Sequence, residues 1–202
     1  MNACLYKFLD LPLLPKSLVD KALSVERNNE NVASSHRFTD KDEKIYAARA
    51  LIHNEEKIQH VRQTRYLLDQ QFQQWISQAI ARNFIECTVS IGGPQQGHLG
   101  PHTDRARNFV LIYVLVPGGS NVLTTFWQEQ NQSKLRPRAT LVDDYDRLIM
   151  LDQVDYGIHR WVIMDGRVLH SVQNLESSRI NIQIAFDNLD DLQNRVGPLN
   201  FA

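Results

Sequence analysis

Along the chain the spacing of apolar side chains changes character near residue 83. Upstream, Leu68, Phe72, Trp75, Ile76, Ala79 and Ile80 recur at helical spacing, which predicts an amphipathic helix over Arg62–Ile80 laid on a sheet. A shorter helix is predicted over Ser17–Ser24, entered at Pro15. Residues 26–44 are polar and read as a surface loop. Downstream the period falls to two. In Ile85–Ile91, Glu86, Thr88 and Ser90 alternate with apolar residues, and Asn108–Val116 is apolar on both faces, as in a strand covered on both sides. Further strands are predicted at Val122–Gln128, Ala139–Val142, Arg147–Val154, His159–Met164, Val168–Gln173 and Arg179–Asp187. Many short strands between turn signals predict a mainly β sandwich or barrel rather than a doubly wound sheet. Residues 1–83 are then a helical extension buttressing a β core of residues 84–202, in one structural unit.

Two strands carry more detail. In Arg179–Asp187, isoleucines 180, 182 and 184 with Phe186 form one face, and Arg179, Asn181, Gln183, Ala185 and Asp187 form the other. If the isoleucine face packs under the helices, Arg179 points into the barrel, where a polar lining is costly unless something polar occupies it. Asp165-Gly166 between two apolar runs predicts a two-residue hairpin turn pairing Trp161 with His170, which would make Trp161 a wall of any pocket that His170 serves.

Composition changes this picture little. A net charge of -1 supplies no field to recruit nucleic acid or an anionic membrane. Two cysteines, Cys4 and Cys87, are too few for a disulfide framework and fit a reducing cytoplasm. No apolar run approaches the roughly 20 residues of a membrane helix, and the first residues lack a secretory leader.

The candidate chemistry sits in four residues. His102 and Asp104 flank one residue, so in extended chain both side chains point the same way. On their own they read equally as a loop histidine and a capping aspartate. A His-x-Asp arises by chance in roughly every second chain of this composition. His170 lies between Val168 and Val172, an apolar place for a titratable ring, and reads as a core histidine or a ligand. Two histidines and a carboxylate hold one face of a ferrous ion and leave the other open. Arg179 could form a surface ion pair; placed indoors, it needs an anion such as a small dicarboxylate. Among the other histidines, His36, His53, His60 and His159 have no partner at ligand spacing, and His98, in a glycine-rich loop, is the rival ligand.

With these residues in place, GPHTDRARNFVLIYVLVPGG and HRWVIMDGRVLHSVQNLESSRINIQIAFD resemble the iron(II)/2-oxoglutarate-dependent dioxygenases of the double-stranded β-helix (jelly-roll) fold, over roughly residues 84–187. The run Trp161-x-x-x-Asp165, His170-x-Val172-x-Asn174, Arg179 and Asp187 resembles the aspartyl/asparaginyl β-hydroxylase and free-proline hydroxylase branch. The prolyl 4-hydroxylase branch is nearly as close. The resemblance implies Fe(II), 2-oxoglutarate and O2 as metal, co-substrate and oxidant. It makes His102, Asp104 and His170 the metal ligands and catalytic centre, and Arg179 the partner of the co-substrate's far carboxylate. Prolyl hydroxylases often carry a tyrosine where this chain has Gly92, so the co-substrate's hydroxyl contact is expected from Thr88 or Ser90.

For the substrate, a small molecule or peptide, Arg105 and Arg107 could meet a carboxylate or could be solvated loop charges. The stretch Pro117–Arg138 could be a lid or an ordinary connection, and Phe126 and Trp127 read as core. The expected activity is hydroxylation of an amino acid or protein side chain. The alternatives are a non-catalytic binding module, which has little reason to bury Arg179, and a nucleic-acid demethylase, which the overall charge disfavours.

Overall fold

Alternating sequence becomes alternating sheet membership. A computed structural model describes residues 4–33, 51–93, 96–104, 107–130, 142 and 144–201. In chain order the elements are β1 (Tyr6–Leu9), α1 (Lys16–Leu23), β2 (Leu51–His53), β3 (Glu56–Ile58), β4 (Gln63–Leu67) and α2 (Gln70–Ala79). Then come β5 (Glu86–Gly92), β6 (Gly97–His102), β7 (Phe109–Val116), β8 (Leu123–Glu129) and β9 (Leu148–Val154). The chain ends with β10 (Trp161–Asp165), β11 (Leu169–Leu175), β12 (Ile180–Phe186) and α3 (Asp190–Val196).

One sheet runs β1-β10-β7-β12-β5-β4 and the other β6-β11-β8-β9, all antiparallel, beside a small β2-β3 ribbon. The pairs β5·β12, β6·β11, β7·β10 and β8·β9 are nested, each inside the last and alternating between the two sheets. That nesting is the jelly-roll, or double-stranded β-helix. β1 and β4, both from the first 83 residues, extend the larger sheet at its two edges.

Side-chain alternation sorts the core into two layers. Leu111, Tyr113 and Leu115 of β7 and the isoleucines of β12 pack with Leu18 of α1 and Phe72 and Ile76 of α2. The opposite face of β7, Val110, Ile112 and Val114, meets Phe126, Tyr156, Val162 and Met164 between the sheets. Every residue of β12 is buried, so the polar face of that strand is indoors as its alternation predicts.

Three expectations change. The second helix starts at Gln70, not Arg62: the Asp69 carboxylate caps it by accepting from the Phe72 amide (3.1 Å). The helical spacing itself begins only at Leu68, and residues 63–67 join β5 as a strand. The turn-rich stretch before His102 holds a strand, β6. Asp165-Gly166 joins the two sheets rather than closing a hairpin. The Asp165 carboxylate binds the Arg167 backbone amide (2.9 Å) and guanidinium (2.6 Å), and Gly166 N–H donates to Asn108 O (2.9 Å), turning the chain out of its own sheet. Trp161 therefore pairs with Tyr113 and Leu9, not His170. Of the predicted strand Ala139–Val142, only Val142 is described, and it is buried outside any strand; residues 34–44 of the polar loop and 131–138 of the long connection also lie outside the described residues.

Trp161 is 1% exposed in the helix-side core and donates its indole N–H to Pro12 O (2.9 Å). Trp161→Ala is expected to cost about 3–5 kcal/mol of folding stability, read by urea denaturation.

Candidate functional site

The site begins with a β-bulge. Between the pairs His170↔His102 and Val172↔Leu99, β11 advances two residues while β6 advances three. The extra residue re-aims β6, so Leu99 and His102 both face the space between the sheets although they are three apart. His102 then stands directly across from His170, their rings 4.4 Å apart. Asp104 is held beside them by its backbone amide, which donates to Gly166 O (2.8 Å). A Cβ on Gly166 would come within 2.8 Å of Asp104 Oδ2 and 2.7 Å of Arg107 O, so this contact needs a glycine.

Ligand atoms of His102, Asp104 and His170 all lie within 4.8 Å of one another. His102 Nδ1 is 2.8 Å from Gly100 O and His170 Nδ1 is 2.8 Å from Val168 O. Each carbonyl selects the tautomer with the proton on Nδ1 and leaves Nε2 free as a donor to metal. Burial, reinforced by His170, pushes the His102 imidazole down to about 4, and burial lowers His170 as well. Burial works to raise Asp104, but the Arg107 guanidinium and the two imidazoles outweigh it and hold the carboxyl at about 2. Near neutral pH the trio is two neutral imidazoles and a carboxylate, the protonation state and donor set that suit a divalent ion of the Fe(II) class.

Arg107 is buried, and its guanidinium pairs with Asp104 Oδ1 and donates to Gln183 Oε1 (2.5 Å). Gln183 Nε2 in turn donates to Asn181 Oδ1 (2.9 Å), so a hydrogen-bonded line runs from the metal-ligand candidate along β12. Four residues before Gln183 on the same face, about 13 Å along the strand, lies Arg179. It is 4% exposed, its Nε has no hydrogen-bond partner, and among the described residues no carboxylate pairs with it. Burial lowers its pKa. Triad, Arg107, Gln183 and Arg179 line one narrow cavity between the two sheets, of about 50 Å³. Leu99, Val110, Ile112 and Val172 form its apolar wall.

Other expected residues fall elsewhere. Trp161 faces the helices and does not reach the cavity. Thr88 and Ser90 are fully buried on β5, opposite Gln183 and Asn181, but one strand away from the cavity lining; Ser90 Oγ bonds Gln63 Oε1 (3.2 Å). His98 packs edge-on against Tyr145 (5.8 Å) and is not in the ligand cluster. Arg105 lies outside the described residues. Phe126 is core, 6.4 Å from the His170 ring, and Trp127 donates to Ser171 Oγ (2.9 Å) on the outer face of the smaller sheet. The cavity also contains Tyr156 and Thr124, which sequence reasoning did not single out. Tyr156 sits in a connection with no periodicity to place it, and Thr124 differs in no visible way from its neighbour Thr125.

No protein-family model matches the chain, and no curated protein is similar to it in sequence. Solved structures similar to the chain include an oxygenase-family protein and prolyl hydroxylases. A Pseudomonas putida prolyl-4-hydroxylase is 13% identical, with a TM-score of 0.46 over 91% of this chain and 92% of that one. A Trichoplax adhaerens prolyl hydroxylase, solved with a hypoxia-inducible-factor peptide fragment, is 13% identical, with a TM-score of 0.43 over 90% and 83%. A 2OG-Fe(II) oxygenase family protein from Burkholderia pseudomallei is 10% identical, with a TM-score of 0.42 over 72% and 76%. The fold of this chain is established by its own strand order.

The depressed imidazole pKa has a measurable consequence. Between about 6.5 and about 4 the unfolded chain protonates His102 while the folded metal-free protein does not. Stability of the metal-free protein is therefore expected to fall as pH drops through that window. The His102 ring should titrate near 4 by NMR; a midpoint near 6.5 would contradict its desolvated setting.

Proposed function

We propose that this chain is an Fe(II)- and 2-oxoglutarate-dependent dioxygenase that hydroxylates an amino acid or a protein side chain. The observation that carries the reading is one cavity holding both a His/Asp/His ligand face and a buried guanidinium that, among the described residues, pairs with no carboxylate. A ligand face alone would accept several divalent ions. Arg179, with no paired carboxylate among the described residues, adds a demand for an anion, and a dicarboxylic 2-oxo acid meets both demands at once.

In this reading His102, Asp104 and His170 hold the iron, which when bound supplies oxygen activation for C–H hydroxylation. Arg179 grips the far carboxylate of the co-substrate and sets how deep it sits. Arg107, placed from sequence as a possible substrate contact, holds Asp104 Oδ1 and so orients a ligand. The apolar wall of Leu99, Val110, Ile112 and Val172 keeps the cavity dry, which strengthens each charged contact within it. The substrate is a small molecule or peptide, since a net charge of -1 provides no attraction for a phosphate backbone. Both cysteines are free, in keeping with a cytoplasmic protein, and among the described residues no helix is long and apolar enough to cross a membrane.

Anaerobic addition of Fe(II) and 2-oxoglutarate should give the visible charge-transfer band of a chelated complex. His102→Ala should abolish it, and Arg179→Ala should keep metal binding while weakening 2-oxoglutarate roughly thirtyfold or more. Confirmed metal binding with no band would favour a non-catalytic binding module.

A further inference from the structure

A second buried ion pair lies beside Arg107 and Asp104 on the inward face of the larger sheet. Arg65 of β4 stands across from Ser90 of β5. On β5 the inward residues are Glu86, Thr88 and Ser90, since Cys87, Val89 and Ile91 pack on the helix side. Arg65 is 3% exposed, and its guanidinium pairs with the largely buried Glu86 carboxylate. One strand over, Thr88 is opposite Gln183, whose Oε1 accepts from Arg107. Glu86 is therefore the diagonal neighbour of Gln183, about 7–8 Å away and within reach of a long side chain. Burial, and after it the Arg107 charge, push the Arg65 guanidinium down to about 10, with Glu86 working against them. The two guanidiniums are close enough to repel.

Two guanidiniums and two carboxylates admit two pairings. In the structure Arg107 holds Asp104 and Arg65 holds Glu86. In the other, Arg107 turns to Glu86 and Asp104 loses its partner. A buried carboxylate stripped of its cation is strongly destabilising, so Glu86 without Arg65 would draw Arg107 across. Arg65 prevents this twice over: it occupies Glu86, and its like charge faces Arg107 from that side.

We infer that Arg65 is a positioning residue for the metal site: by holding Glu86 it commits Arg107 to Asp104 and so fixes the ligand carboxylate. The inference rests on the proposed reading of His102, Asp104 and His170 as metal ligands. Neither Arg65 nor Glu86 lines the cavity, so both act through Arg107. The arrangement gives the N-terminal extension a part in the site. β4 is held along its length by β5, and the Arg65 carbonyl accepts the Ala33 amide (2.8 Å).

The test titrates Mn(II) by calorimetry into the parent, Arg65→Met, and Arg65→Met combined with Glu86→Gln. The temperature is one at which thermal denaturation shows each metal-free protein folded. Arg65→Met is expected to bind Mn(II) roughly tenfold or more weakly, as on loss of a contact that orients a ligand. The double variant has no carboxylate to draw Arg107 away and is expected to recover parent-like affinity. Charge balance alone gives the opposite order, since removing the Glu86 charge weakens the attraction for a cation. A purely structural ion pair would move the unfolding temperature and not the affinity. Should Arg65→Met not fold, Arg65→Gln, which keeps hydrogen-bond donors for Glu86, replaces it in both variants with the same expected order. Parent-like or tighter binding by the single variant overturns the inference, as does a double variant no tighter than the single one; either result leaves the metal site standing. A parent that binds no Mn(II), or whose binding is unchanged by His102→Ala, overturns the metal reading and the inference with it.

Discussion

Burying a guanidinium away from a paired carboxylate costs several kcal/mol, and Arg179, just before the fully buried strand β12, pairs with no carboxylate among the described residues. β12 lies between β5 and β7, and its isoleucines face the helix-side core. With those isoleucines anchored, Arg179, Asn181 and Gln183 have nowhere to point but inward. A one-residue slip would bury the polar row among the helices and expose the isoleucines to the polar interior, so the register is strongly determined. The polar row lining the cavity is the consequence of the apolar face packed against the helices.

The ligand trio depends on the same architecture by another route. Nesting brings β6 against β11, which sets His102 opposite His170 although 67 positions separate them in the chain. The bulge in β6 turns His102 inward, and the inter-sheet turn at Gly166 holds the Asp104 backbone. Arg107 then ties Asp104 to Gln183 on β12. Gln183 passes the line on to Asn181 by donating to its Oδ1, on the face of β12 that continues to Arg179. The His/Asp/His cluster and the buried guanidinium thus line one cavity, placed by strand register and by the residues that flank β6, β7 and β12.

Much of this was legible in the residues. The period-two run of β12 placed Arg179 indoors because alternation with isoleucine allows one arrangement. His102 and Asp104 could be paired by spacing, and His170 joined them by its apolar neighbours. What alternation could not show was which sheet each strand enters. Asp165-Gly166 has the composition of a hairpin turn, yet the Asp165–Arg167 contact and the neighbouring strands send β10 and β11 to different sheets, so Trp161 was assigned to the wrong side. Helical spacing begins at Leu68, and the Asp69 cap starts α2 at Gln70 rather than at Arg62. The position of Tyr156 comes from packing on β1, a strand the local pattern does not announce. Thr88 and Ser90 were put on the correct face of β5, one strand short of the cavity.

The central claim is that one cavity takes a divalent metal at His102, Asp104 and His170 and a carboxylate at Arg179. A crystal structure of the protein soaked with Mn(II) and 2-oxoglutarate addresses it directly. The account predicts metal on those three side chains, chelated by the 2-oxo acid head, with the far carboxylate on Arg179. Metal elsewhere, or a co-substrate whose far carboxylate turns away from Arg179, would contradict it.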